Sequence, residues 1–272
     1  MKKFFLLILF SLPIYSQVII SPYVVYMDEG NKFGSMIIQN ESFDPYEISI
    51  SFIFGFPVSD SLGNRSMQYL ENPTEEYPAL NNWITAFPKK FILNSKERQT
   101  IRLMVKPPKD IAKRTYWTRI VTSSTPINKD TTVNSGNGVS AKLKFVLNQV
   151  TTAIYRTDSI STDLNIENVS LIKDSTDSYQ LLYKMNQLGN SPYFGNFKLE
   201  VKNSKGEILL DEQDYLSVYY NITRNYVLPK EKFTSGNYTA KYFIKFNEKE
   251  DIPDSKLIPT NDITNNFEFT IP

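Results

Sequence analysis

The sequence predicts an all-β protein, with two β-sandwiches in tandem behind an export leader. Three observations carry this. Short runs alternate apolar and polar residues between turn residues, and helical spacing is scarce. The 272 residues leave room for two ordinary domains. The N-terminus sets a basic start before a short apolar run.

That start reads MKKFFLLILFSLPIYSQ. Lys2 and Lys3 precede the apolar run Phe4 to Phe10, which Ser11-Leu12-Pro13 ends. Ile14 and Ser16 offer the −3 and −1 positions of a cleavage site before Gln17. The run is too short to span a bilayer. Residues 1–16 are therefore read as a signal peptide and the product as exported and soluble. The alternative is a buried N-terminal strand.

In chain order, 18–20 and 23–27 open a strand region, and Asp28-Glu29-Gly30-Asn31 turns the chain. Strands follow at 35–39 and 48–54, parted by a loop holding Asp44-Pro45. The polar stretch 57–82 suits a hairpin or one short helix. Phe91-Ile92-Leu93 is a short strand and 94–97 a turn. A strand at 99–106 puts Ile101, Leu103 and Val105 on one face before Pro107-Pro108 ends it. Another strand covers 116–123, and 125–138 is a long polar loop. About seven strands precede position 157, with turns spaced as in a sandwich.

Asp158 to Thr162 breaks the pattern and reads as a linker, so the domains are 17–157 and 158–272. The second half suggests strands at 169–172, 180–185, 197–202, 207–210, 216–219, 225–228, 238–246 and 266–271. Turns fall at Gly189-Asn190-Ser191-Pro192, Asn203-Ser204-Lys205-Gly206 and Ser235-Gly236. Tyr238, just after a glycine turn, sits where a tyrosine corner ties a sandwich loop to its own backbone; an ordinary core tyrosine is the alternative.

Composition excludes much chemistry. Lys and Arg number 30 against 29 Asp and Glu, so no net field favours nucleic acid. There is no His and no Cys, which removes Ser-His-Asp and Cys-His nucleophiles, imidazole and thiolate metal sites, and disulfides. Glu248, Glu250, Asp251 and Asp254 cluster without EF-hand spacing and read as a solvated loop. Ser135-Gly136-Asn137-Gly138 precedes a strand rather than a helix, so it is no phosphate cradle. Asp211, Glu212 and Asp214 read as acids in a turn with no second carboxylate to pair with. The chain is not expected to be an enzyme or to need a cofactor or metal.

Residues 141–157, AKLKFVLNQVTTAIYRT, read as one long strand with a change of face. Ala141, Leu143, Phe145 and Leu147 fall on one side, with Lys142 and Lys144 on the other. From Val150 the apolar residues, Val150 and Ile154, sit at even positions. An ordinary half-buried strand with a plain bulge is one explanation.

A resemblance supplies another. Trp83-Ile84 through Phe87-Pro88, with Phe91-Ile92-Leu93 and Gln99-Thr100-Ile101-Arg102-Leu103, resembles a proline-strand-turn-strand segment of the PapD-like periplasmic chaperones of pilus assembly. Asp110-Ile111-Ala112 before Tyr116-Trp117-Thr118-Arg119 resembles that family's helical turn and following strand. The end of 141–157 at Tyr155-Arg156 resembles the strand that leads into its linker. Leu188 to Tyr193, Leu228-Pro229, Gly236-Asn237-Tyr238 and Asp251-Ile252-Pro253 look like its second domain.

The resemblance implies two Ig-like sandwiches and a chaperone that lends its last first-domain strand to an incomplete pilus subunit, by strand addition. Leu143, Phe145 and Leu147 would then serve the client, with Val150 and Ile154 in the chaperone's own core. Burying three such side chains is worth about 1.5–3 kcal/mol each. Lys142 and Lys144 would keep the empty edge soluble. Implied partners are secreted subunits, an outer-membrane usher and a second copy as a self-cap, with no nucleic acid and no membrane span. The implied location is the periplasm. The competing reading is an Ig-like structural or adhesion-apparatus component of the envelope.

The family grips its client's terminal carboxylate with an Arg on the first strand and a Lys late on the last first-domain strand. Tyr23 and Thr152 stand at those positions here. Arg119, Arg102 and Arg156 are the cations that could replace them.

Overall fold

The computed structural model describes residues 18–127, 131–135, 139–143, 145–174, 177–246 and 253–272. The predicted leader, Lys144, and Glu248, Glu250 and Asp251 lie outside the described residues, as do the side chains of Lys142, Leu143 and Asp254.

The first half holds β1 (Val18–Ser21), β2 (Val24–Asp28), β3 (Phe33–Asn40), β4 (Tyr46–Ser59), β5 (Arg65–Leu70), β6 (Ile84–Phe87), β7 (Lys90–Leu93), β8 (Arg98–Val105), β9 (Thr115–Pro126), β10 (Thr131–Ser135), β11 (Val139–Leu143) and β12 (Leu147–Arg156). One sheet runs β1-β3-β8-β6; the other runs β2-β12-β9-β4-β5, with β7 also on β4. β10 and β11 pair apart from both. β1 and β2 are separated by only two residues, yet they enter opposite sheets: β1 is antiparallel to β3 and β2 parallel to β12. Between the sheets lie Val18, Ile20, Met36, Ile38, Ile101 and Leu103 from one side and Val25, Met27, Ile48, Ile50, Ile120, Ala153 and Tyr155 from the other. The alternation read from the sequence puts them there, because successive strand residues point to opposite faces.

The second half holds β13 (Thr162–Lys173), β14 (Tyr179–Gly189), β15 (Tyr193–Asn203), β16 (Ile208–Val218), β17 (Asn221–Leu228), β18 (Gly236–Phe246) and β19 (Ile263–Ile271), with a 3-10 turn at Asp254–Lys256. Sheet β13-β14-β17 faces sheet β16-β15-β18-β19, an Ig-like arrangement. Its core centres on Tyr183, Phe197, Tyr226 and Tyr242. Phe197 stacks on Tyr226 at 5.0 Å and meets Tyr183 edge-on at 5.1 Å. Tyr238 makes the corner: its hydroxyl donates to the Thr234 carbonyl at 2.7 Å.

Of the two forms that suit the stretch 57–82, it holds the hairpin, β4–β5. Two expectations need correction. Asp211, Glu212 and Asp214 lie within strand β16, not in a turn; on this edge strand Asp211 and Glu212 are exposed and Asp214 pairs with the buried Arg224, while Leu210, Leu216 and Val218 are buried. Where the resemblance implies a helical turn, Lys109-Asp110 forms a simple turn with Asp110 at φ 59. The Tyr116 hydroxyl braces the following loop by donating to the Ala112 carbonyl at 2.9 Å, a second four-residue tie like that of Tyr238.

Candidate functional site

β12 is paired on both sides for only half its length. Against β9 it pairs from Leu147 to Arg156 without a register shift. Against β2 it pairs only from Thr152 to Arg156. The Thr152 N–H donates to the Tyr23 carbonyl at 2.9 Å, so Thr152 turns its backbone polar groups outward. Strand alternation turns those of Val150 and Asn148 the same way, where no strand among the described residues meets them. β1 cannot fill the gap because it belongs to the opposite sheet.

The segment 141–157 is two strands, not one. β11 ends at Leu143, whose backbone pairs with Thr131, and β12 begins at Leu147. Lys142 and Leu143 thus belong to the β10–β11 hairpin, and only the part from Phe145 onward adjoins the open edge. There is no bulge within β12. The change of face arises because both sides of its end are covered. Ala153 and Tyr155 point into the first core; Ile154 joins a separate cluster with Phe54, Phe56, Trp117 and Tyr219. Val150, expected in the core, is 45% exposed, since it shares Ile154's face but lies outside that cluster. Phe145 and Leu147 are 63% and 46% exposed, with Val146 between them also exposed.

The cluster around Ile154 joins the two sandwiches. Trp117 meets Tyr219 at 4.8 Å, and Phe56 meets Tyr220 at 4.8 Å. Thr115 Oγ1 donates to Ser191 Oγ at 2.7 Å, and the Thr223 N–H donates to Ser59 Oγ at 2.6 Å. Beside the cluster is a cleft of about 230 Å³ lined by Val24, Tyr26, Arg119, Thr152, Phe194 and Tyr219, among others.

Arg119 is the cation of this cleft. It stands directly opposite Thr152 on the neighbouring strand. Its Nε donates to the Gly55 carbonyl at 3.0 Å, its Nη1 donates to Thr152 Oγ1 at 2.5 Å, and its guanidinium lies 5.2 Å from the Tyr219 ring centre. The other two arginines are elsewhere. Arg102 is exposed on the outer face of β8, between Ser35 and Phe87. Arg156 is buried, and burial holds its pKa below the ordinary guanidinium value. Its Nη1 donates to the Lys256 carbonyl, and its guanidinium stacks 5.1 Å from the Tyr26 ring. Sequence spacing cannot separate these three, because each alternates with apolar neighbours; only strand pairing shows which one reaches Thr152.

Arg156 and its neighbours form a tie between the halves. The Lys256 ammonium donates to Asp28, which lowers the Asp28 pKa below 3.8. Such a carboxylate adds stability above its unfolded pKa, and the contribution is lost as pH falls through the lower folded value. Asp28→Asn is therefore expected to lower the melting temperature at pH 7, and the gap to wild type is expected to shrink as pH falls below about 4. Melts across pH 2–7 check this.

Among the described residues no group of three or more acids could hold a metal, and no helix is long and apolar enough to cross a membrane.

No protein-family model matches this sequence, and no curated protein matches it. Solved structures similar to it include the YadV chaperone, with TM-score 0.46 and 13% identity over 93% of this chain and 100% of that one. A second is the CsuC-CsuE chaperone–tip adhesion subunit pre-assembly complex from the archaic chaperone-usher Csu pili of Acinetobacter baumannii, with TM-score 0.47 and 13% identity over 92% and 98%. A third is the Pseudomonas aeruginosa CupB2 chaperone, with TM-score 0.43 and 10% identity over 93% and 100%.

Proposed function

We propose that this chain is a periplasmic chaperone that holds exported, pilus-type subunits by strand addition at the open edge of β12. The observation that carries this is the stretch from Leu147 to Thr151, which is paired with β9 but open on its other side, with Phe145, Val146 and Leu147 exposed. A strand added there would extend the sheet. Its core-side residues would stand beside Leu147, on the face that Ala153 and Tyr155 share. Burying Phe145 and Leu147 is worth about 1.5–3 kcal/mol each, and each backbone bond to Asn148 or Val150 adds roughly 1 kcal/mol. An apolar edge left empty invites aggregation, so a resident partner fits it better than water.

Arg119 is the polar anchor on this reading. It uses two of its five N–H donors internally, which leaves donors for a partner's terminal carboxylate in the cleft. The predicted leader supports the periplasm, and the order of sequence motifs supports the pilus-type class of subunit. An outer-membrane usher and a self-capping second copy are further partners of the same reading.

The test recovers the mature protein from its native envelope, beside a Phe145→Ser/Leu147→Ser variant. The wild type is expected to bring down an exported β-sandwich subunit; the variant is expected to keep its melting temperature and lose that subunit. A wild type that recovers no subunit would favour a structural envelope component. Arg119→Ala is expected to weaken capture about tenfold to a hundredfold, from the loss of one charge-assisted bond, with Arg119→Lys restoring part.

A further inference from the structure

Behind the open edge the interior changes character. Thr122 and Ser124 on β9 are fully buried, and Thr151 on β12 is 4% exposed. The hydroxyls of all three, and the Oε1 of Gln149, are buried with no hydrogen-bond partner among the described residues. Register gathers them. Thr122 stands opposite Gln149 and Ser124 opposite Leu147, while Thr151 is opposite Ile120. On the far side of β9, Ile50 and Ile48 are the partners of Thr122 and Ser124. An apolar core therefore gives way to a polar row just where β12 loses its neighbour.

Gln149 sets the polarity of that row. Its Nε2 donates to the Val18 carbonyl at 3.1 Å. A carbonyl can only accept, so the amide is held in one orientation and the free atom is Oε1, an acceptor. Sealing an acceptor from water without a donor weakens binding about tenfold. A side chain directly across from Gln149 on an added strand would have its Cβ about 4.5–5.5 Å away, within reach. A charged donor would have to be desolvated, which favours a neutral one.

We propose that the strand accepted by β12 carries a neutral hydrogen-bond donor, a hydroxyl or amide side chain, facing Gln149 within an otherwise apolar face. This rests on the strand-addition reading and names the chemistry of the strand that it selects.

The test uses the mature chain and a series of fluorescent seven-residue Val/Ile peptides, flanked by Lys for solubility. One Thr is walked through successive positions, so that the register is found rather than assumed. One position is expected to bind about tenfold tighter than the all-apolar parent, and Gln149→Leu is expected to level that preference. The Gln149 side-chain amide resonance is expected to shift with the preferred peptide and not with the parent, a readout that does not depend on how the variant folds. Equal binding along the series, or a preference unchanged in Gln149→Leu, would overturn the proposal and leave strand addition standing. If no peptide binds, parent included, both fall.

Discussion

Val150→Pro is expected to abolish partner capture while leaving the protein folded. The N–H of Val150 points to the open side of β12, so the ladder with β9 loses no bond when proline removes it. An incoming strand loses that donor and meets the pyrrolidine ring at the centre of the edge. Capture is expected to fall at least about a hundredfold, the combined effect of a lost bond and a steric block. The melting temperature is expected to move by less than about 4 °C, the shift that roughly 1 kcal/mol makes in a chain of this size. Both are measured on the same preparation. Persistent capture would mean that the partner touches a face and not the edge; a large drop in melting temperature would mean that the edge is paired within the native fold.

Trp117→Ala is expected to destabilise the protein by about 3–5 kcal/mol, the usual cost of removing a buried large aromatic. Trp117 is 2% exposed, and its ring centre lies 5.2 Å from Phe54, 4.8 Å from Tyr219 and 6.0 Å from Tyr220. Its Nε1 donates to the Gly55 carbonyl at 3.1 Å, the same oxygen that accepts from Arg119. The substitution opens the cluster joining the sandwiches and frees the wall of the Arg119 cleft. Denaturant unfolding is expected to split into two transitions, since each sandwich keeps a core of its own. Trp117→Phe isolates the indole N–H, worth about 1 kcal/mol. A single unshifted transition in Trp117→Ala would show that the cluster does not couple the halves.

Where alternation met one buried face, the sequence was easy to read. Ile101, Leu103 and Val105 alternate onto one side of β8, and all three are core residues. The glycine at 236 marked a turn ahead of the Tyr238 corner, and its φ of 153 shows why that position suits glycine. Pattern and structure part where a strand is covered on both faces or where charge interrupts an edge strand. Ile154 sits at the wrong parity for the first core because a second cluster buries it, which imitated a change of face. The acids of β16 resemble a turn because they interrupt its apolar alternation, which an edge strand tolerates and which Arg224 offsets at Asp214.

By itself the sequence determined the all-β class, the division into two sandwiches, the lack of thiol and imidazole chemistry, and an apolar stretch around Phe145 and Leu147. These follow from residue type and spacing, which act locally. Tertiary structure alone decided that β2 covers only half of β12, and that Arg119 rather than Arg102 or Arg156 reaches Thr152. Each of these depends on which strand lies beside which, across separations of tens of residues. Such pairings are set by the closure of the whole sandwich, and no local pattern of side chains encodes them.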